Sequence, residues 1–181
     1  MILGIKNHKF QYEAEKLTRV FYPNEKITVV IGDSFKDGEA LLLTEFTDSE
    51  VRVVFTDEAG NVLYSEENSL SGITDGELLM AQMIFRALVK ITGYTPKWGI
   101  LTGIRPSKLL RNLKATHGDE KGKEIFMRDY LVTKEKTALA DSVANTEEKI
   151  ISLSRPESFS SMFNFRLSRQ GAAIVRSSPT Q

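Results

Sequence analysis

Residues 40–65 read ALLLTEFTDSEVRVVFTDEAGNVLYS and contain three β-prone runs separated by two turns. The runs are Ala40–Phe46, Val51–Thr56 and Val62–Ser65. Gly60 in the second turn can take the positive φ that a bulged hairpin loop requires. Apolar and polar residues alternate through the middle run, as in a strand with one face toward solvent. This stretch therefore predicts an antiparallel meander of three strands.

The sequence before the meander predicts one more strand and one helix. Lys26–Ile31 is rich in β-branched residues and is followed by a Gly-Asp pair, which is typical of a strand. Phe10–Phe21 has an amphipathic pattern, and Ile2–Ile5 is a short apolar run. The helix residues expected to face the core are Tyr12, Leu17, Val20 and Phe21.

The sequence after the meander predicts a long helix. Thr74 and Glu77 have the spacing of a capping box, so we expect the helix to begin there. Gly93 stands where a helix C-cap belongs. A broad apolar stripe lies between the two caps and consists of Leu79, Met80, Met83, Ile84, Ala87, Leu88 and Ile91.

Three further helices are expected, which completes an α+β fold. They cover Pro106–Lys114, a segment near Gly122–Leu131, and a segment from a Thr133 cap to about Ile151. A small, mostly antiparallel sheet followed by a helical layer is therefore the predicted architecture of residues 1–153. Residues 154–181 show no sustained period and are expected to form an irregular tail. The last helix has few apolar positions, namely Leu139, Val143, Ile150 and Ile151.

The composition argues against several classes of function. Lys plus Arg and Asp plus Glu both number 24, so no overall charge favours nucleic acid or an acidic membrane as partner. The chain has no cysteine, which removes disulfides, thiolate catalysis and cysteine-bound metal clusters. No stretch approaches the length of a transmembrane helix and no signal peptide is recognisable, so we expect a cytoplasmic protein.

No catalytic arrangement is recognisable in the sequence. His8 and His117 are far apart along the chain and are expected at the surface, so they do not indicate a metal pair. The pairs Asp119-Glu120 and Glu147-Glu148 have the pattern of solvated helix faces rather than of an acid and a base. The sequence therefore predicts no catalytic residue and no metal ligand.

The segment Trp98–Lys108, WGILTGIRPSK, is the strongest candidate for a functional site. Pro106 suits the first position of a helix, because its missing N–H would be unpaired there in any case. The free N–H groups and the positive dipole end of that helix would favour an anion, or would form a cap that anchors a neighbouring domain. The residues predicted to bind an anion or another domain are Trp98, Thr102, Gly103, Arg105, Ser107 and Lys108.

The same segment resembles the W-G-x-L-T-G-x-R-P-[ST]-K signature of HemZ-type oxygen-independent coproporphyrinogen III dehydrogenases. The resemblance implies membership of the radical S-adenosylmethionine superfamily, with a [4Fe–4S] cluster and S-adenosylmethionine as cofactors. It implies oxidative decarboxylation of coproporphyrinogen III in haem biosynthesis. In that family the signature precedes the catalytic domain, so residues 1–153 would be a non-catalytic accessory domain whose partner is the radical enzyme domain.

Residues 154–160, SRPESFS, resemble the family segment that leads into the catalytic barrel. The family then continues with three cluster-binding cysteines, whereas this chain reads MFNFRLSRQG from Met162. In a shifted frame, allowed codons for 169–181 can encode PTRCSYCSFVSHS, although no codon choice across 167–168 gives the first cysteine. We therefore predict a reading-frame change just after Ser160 and an inactive chain. The alternative is a free-standing α+β module that binds an anion or a partner.

Overall fold

The computed structural model of the chain describes residues 1–36 and 38–153, with side chains described as far as residue 150. The predictions for residues 154–181, including the frame change, lie outside the described residues. The elements follow one another as β1 Ile2–Lys6, α1 Gln11–Phe21, β2 Thr28–Ile31, β3 Leu41–Phe46, β4 Glu50–Thr56, β5 Val62–Ser69, α2 Gly76–Thr92, α3 Pro106–His117, α4 Asp119–Arg128 and α5 Lys134–Leu153.

The five strands form one sheet in the order β2-β1-β3-β4-β5. The predicted meander is confirmed, since β3, β4 and β5 pair antiparallel in sequence order. The apolar run Ile2–Ile5 becomes strand β1, which lies between β2 and β3 and runs parallel to both. A continuous apolar run is typical of such a strand because both of its faces are covered. The α+β class is confirmed.

The faces of β1 are covered by different parts of the chain. Leu3 and Ile5 are fully buried in the main core beneath α1 and α2. On the opposite face the Phe35 ring lies against Gly4, so close that a Cβ there would be 2.7 Å from the ring. A larger residue at this position would therefore have to displace the Phe35 ring, which belongs to the loop that follows β2.

The helical layer has a smaller core of its own. Its fully buried centre consists of Leu110 in α3 and Phe126 in α4, with Val132 and Ala140 beside them. Helices α3 and α4 cross closely at Gly122, where a Cβ would lie 2.7 Å from the backbone nitrogen of Lys114. This second cluster lies next to the main core and shares contacts with it.

The core-facing side of α1 differs from the prediction. Tyr12 and Val20 are 60% and 38% exposed, so their predicted burial is wrong. The spacing of the buried residues explains this, because the helix buries one narrow stripe and both side chains lie well away from its centre. The buried residues are Ala14, Leu17, Thr18 and Phe21.

The cap of α2 also differs, by one residue. The carboxylate of Asp75, not the hydroxyl of Thr74, accepts a hydrogen bond from the Leu78 nitrogen at 2.9 Å. Either side chain is a good N-cap, and the sequence spacing favoured the wrong one. The C-cap prediction is confirmed, since Gly93 has φ of 69° and its N–H donates to the Val89 carbonyl at 2.9 Å.

Helix α5 packs through small residues rather than through its larger apolar ones. Leu139, Val143 and Ile150, which are among its few apolar positions, are 47%, 41% and 61% exposed. Thr133 caps the helix as predicted, accepting a hydrogen bond from the Lys136 nitrogen at 3.4 Å. The buried positions, spaced three and four apart, are Thr137, Ala140 and Ala144. Their short side chains let α5 lie close to its neighbours.

Candidate functional site

The first half of the signature segment is fixed to the linker between α4 and α5. The Ile100 nitrogen donates to the Tyr130 carbonyl at 3.0 Å, and the Thr133 nitrogen donates to the Lys97 carbonyl at 3.1 Å. Gly99 has φ of 60°, and a Cβ there would lie only 2.0 Å from the Tyr130 carbonyl oxygen. No other residue fits this position, so the glycine of the motif has a structural role.

Trp98 is a packing residue of the helical layer. Its side chain is half-buried against the cluster around Leu110 and Phe126. The Lys136 ammonium lies 5.2 Å from the centre of the indole ring, within the range of a cation–π contact. The ring therefore joins the signature segment to the start of α5.

The second half of the segment opens α3, and a carboxylate already lies at its first turn. Pro106 is the first helical residue, as predicted. The Ser107 hydroxyl donates to one carboxylate oxygen of Glu147 at 3.2 Å, and the Arg105 guanidinium lies 3.9 Å from the other. Glu147 comes from α5, so a negative charge of the protein itself lies where an external anion was predicted.

Sequence reasoning missed Glu147 because it assigned Glu147 and Glu148 alike to a solvated face. The structure distinguishes them, since Glu148 is exposed whereas Glu147 is partly buried beside Ser107. The two contacting residues are 40 positions apart in the chain, and no local pattern indicates which acid of the pair faces α3. Only the packing of α5 on α3 decides it.

The predicted site residues separate into three environments. Trp98 packs inside the helical layer, while Arg105 and Ser107 face Glu147. Thr102 contributes to the wall of a groove, and Gly103 follows it beside the Tyr12 hydroxyl. Lys108 is exposed and makes no ion pair with any residue that the structure describes. The segment therefore does not converge on a single ligand position.

The groove lies between α1, the start of α2 and the signature segment, and has a volume of about 270 Å³. Two exposed apolar side chains mark its mouth, Tyr12 at 60% and Ile104 at 49% exposure. Three carboxylates also line it, namely Glu13, Asp75 and Glu77. No basic side chain is among the described residues that line the groove.

The carboxylates of the groove affect one another. Partial burial raises the pKa of Glu77, and the negative charges of Glu13 and Asp75 raise it further, against a smaller opposite effect of Lys9. A raised carboxyl pKa indicates that negative charge is disfavoured there. A cation placed in the groove would relieve this repulsion.

A second charged cluster holds the three last helices together. The Lys114 ammonium of α3 lies 2.5 Å from the Asp141 carboxylate of α5 and 2.6 Å from the Asp119 carboxylate of α4. Lys123 also contacts both acids. Hydrogen bonds from Lys114 and Lys123 lower the pKa of Asp119 to about 2. Asp119 is thus paired, unlike the solvated acid that the sequence suggested, and its role is to tie helices together.

The two histidines occupy different environments. His117 is exposed as expected, but the prediction for His8 is wrong because its ring is half-buried beside Phe10 and Phe46. The Phe10 nitrogen donates to Nδ1 at 3.2 Å, so the proton is on Nε2, which faces the Thr44 carbonyl at 3.2 Å. Burial lowers the pKa of His8, and the neutral ring connects the loop after β1 to Thr44 in β3.

The residues present do not fit an iron–sulfur cluster of the kind the resemblance implies. Such clusters are held by cysteine thiolates, and the chain has no cysteine. Within residues 1–36 and 38–153, no group of three His, Asp or Glu side chains is placed to hold a metal ion. In the same part of the chain, no helix is long and apolar enough to cross a bilayer.

Comparison with known proteins relates part of the chain to one described protein. A stretch of 57 residues is 42% identical to the oxygen-independent coproporphyrinogen-III oxidase-like protein HemZ of Bacillus subtilis. That stretch is 31% of this chain and spans only 11% of the length of HemZ. No family model matches the chain, and no solved structure matches it significantly.

Proposed function

We propose that residues 1–153 are the non-catalytic accessory domain of a HemZ-type coproporphyrinogen III dehydrogenase. The observation that carries this proposal is the 42% identity to HemZ over 57 residues. The signature segment Trp98–Lys108 supports it as a motif. The reaction, oxidative decarboxylation of coproporphyrinogen III in haem biosynthesis, would belong to a radical S-adenosylmethionine domain that the accessory domain covers or orients.

The chemistry of the residues is consistent with an accessory role. A cluster that cleaves S-adenosylmethionine needs thiolate ligands, and this chain supplies none. Residues of the signature segment instead have structural roles, since Gly99 allows a close backbone contact and Arg105 pairs with Glu147. The cationic turn is therefore better suited to holding protein surfaces together than to holding a substrate.

The encoding DNA provides the first test. We expect a single-base insertion or deletion after the codon of Ser160 to restore an open frame containing Cys-x-x-Cys. In the restored protein, deletion of residues 1–153 should leave cluster assembly and cleavage of S-adenosylmethionine intact. Turnover of coproporphyrinogen III should fall by about tenfold or more, because positioning of the substrate and the domain is lost. Unchanged turnover would contradict the proposal.

Iron binding by the existing chain provides a second test. After anaerobic incubation with iron and sulfide, the purified chain of 181 residues should retain no cluster and should not cleave S-adenosylmethionine. The restored protein is the matched control and should turn brown under the same conditions. A brown, active preparation of the existing chain would show that the accessory assignment is wrong.

A further inference from the structure

The groove beside the signature segment has an apolar mouth. Tyr12 and Ile104 are both large and about half or more exposed, and a Cβ at Gly103 would lie 3.8 Å from the Tyr12 hydroxyl oxygen. The apolar surface continues inward through Leu17, Leu78 and Ile100. Burial of this surface by another group would be favourable, because removing apolar surface from water lowers the free energy.

The charge of the groove restricts what can cover it. Glu13, Asp75 and Glu77 line it, and no described lining residue is basic, although the Lys16 ammonium lies 5.3 Å from the centre of the Tyr12 ring. Partial burial raises the pKa of Glu77, and the negative charges of Glu13 and Asp75 raise it further against a smaller opposite effect of Lys9. A porphyrinogen carries several propionates and would be repelled at this rim. A lysine or arginine next to an apolar side chain would satisfy both the acidic rim and the apolar mouth.

The course of the chain indicates where such a group would come from. Helix α5 passes the signature turn at Glu147, which contacts Arg105 and Ser107. It ends at Leu153, six residues and therefore about 9 Å further along its axis. Ile104, which lines the groove, directly precedes Arg105. The described part of α5 thus ends near the turn that borders the groove.

We propose that this groove is the docking surface for a basic segment with an apolar anchor, belonging to the domain that follows α5. The apolar anchor packs against Tyr12 and Ile104, and flanking lysine or arginine side chains pair with Glu13 and Glu77. The identity of the partner as a catalytic domain rests on the proposed function. The preference of the groove for a basic, apolar segment does not.

Two peptides of equal length test the preference in the existing chain. The probes are acetyl-Arg-Arg-Phe-Arg-Arg-amide and its charge-reversed form with glutamates, titrated into labelled protein while amide NMR shifts are recorded. We expect the cationic peptide to shift amides of residues 12–13, 77–78 and 102–104 and to bind about tenfold more tightly than the acidic one. Added salt should weaken binding of the cationic peptide.

Substitutions establish whether the groove itself is responsible. The double variant Glu13→Lys with Glu77→Lys should lose the preference for the cationic peptide or reverse it, and Ile104→Ala should weaken binding of both peptides. Glu67→Lys is the control, because Glu67 is an exposed acid on β5 outside the groove lining. Asp75 is left unchanged because it caps α2. Circular dichroism confirms that each variant is folded.

Four results would overturn the proposal. They are equal binding of the two peptides, an effect of Glu67→Lys as large as that of the double variant, tighter binding of coproporphyrin to these residues, and self-association of the chain through Tyr12 and Ile104. Suppose that the groove of the existing chain prefers the cationic peptide while the restored protein keeps full turnover without residues 1–153. That combination would refute only the proposed function. Loss of turnover on deletion of residues 1–153, together with no preference for the cationic peptide, would refute only the docking surface.

Discussion

At the scale of single residues, Glu147 determines which negative charge lies at the first turn of α3. It supplies the negative charge that the first turn of α3 favours, through contacts with Ser107 and Arg105. A sequence can show that a helix begins at Pro106 with cations around it, and this part of the site was predictable. It cannot show that an acid 40 residues later lies against that turn, because the contact depends on tertiary packing.

The substitution Glu147→Gln tests this role. It removes the internal negative charge, so the first turn of α3 should gain affinity for inorganic phosphate by about tenfold over the unmodified chain. Amide NMR shifts of residues 107–109 during a phosphate titration measure it. Glu148→Gln is the matched control and should behave as the unmodified chain does. If the unmodified chain binds phosphate as tightly as the variant, Glu147 does not fill the site.

His8 makes the stability of the fold depend on pH. Burial lowers its pKa in the folded chain below the value of about 6.5 for an unfolded histidine, so the unfolded chain takes up the proton first as pH falls. Its contribution is therefore fully present above about pH 6.5 and decreases as the pH falls toward the folded pKa. Urea unfolding between pH 7.5 and 5.5 should show a smaller decrease for His8→Gln than for the unmodified chain. Equal decreases would exclude this role.

At the scale of secondary-structure elements, the close crossing of α3 and α4 depends on Gly122. A methyl group there would meet the backbone nitrogen of Lys114 at 2.7 Å. Gly122→Ala should lower the free energy of unfolding by about 1–3 kcal/mol, although alanine is the better helix former. Lys121→Ala, at an exposed neighbouring position, is the control and should change stability by no more than about 0.5 kcal/mol. A stabilising Gly122→Ala would show that the helices can separate without cost.

Helix α5 offers a matched test of which face is buried. Ala140→Leu should destabilise the chain by about 1–3 kcal/mol because Ala140 is only 2% exposed. Leu139→Ala should change stability by no more than about 0.5 kcal/mol because Leu139 is 47% exposed. Urea unfolding measures both. Reversed magnitudes would mean that the face with Leu139, and not the face with Ala140, is buried.

Some features of the secondary-structure elements could be predicted from the sequence, and others could not. Local chemistry predicts three of these features. The meander strands follow from the alternation of apolar and polar residues, the start of α3 from the fixed φ of Pro106, and the end of α2 from the positive φ of Gly93. The buried face of α5 does not, because alanines and a threonine pack there only when a second helix is close. The position of β1 beside β3 is likewise non-local, since its apolar run is compatible with several partners.

At the scale of the whole molecule, the main core and the helical core are joined through Tyr130. Its ring packs against both clusters of buried residues. Its carbonyl accepts the hydrogen bond from Ile100, and the neighbouring Asp129 carbonyl accepts one from the Gln82 side chain at 2.8 Å. The signature segment therefore lies at the junction of the two layers. A partner that docks on it would contact both layers at once.

Trp98 is the only tryptophan of the chain and reports on the helical layer alone. If Tyr130 couples the layers, urea transitions followed by Trp98 fluorescence and by circular dichroism should coincide in the unmodified chain. Tyr130→Ala should destabilise the helical layer by about 2 kcal/mol, so that the fluorescence transition precedes the other. Tyr130→Phe, which retains the ring, should keep the two transitions together. Separate transitions in the unmodified chain would mean that the layers unfold independently, and docking on the signature segment could then order only one of them.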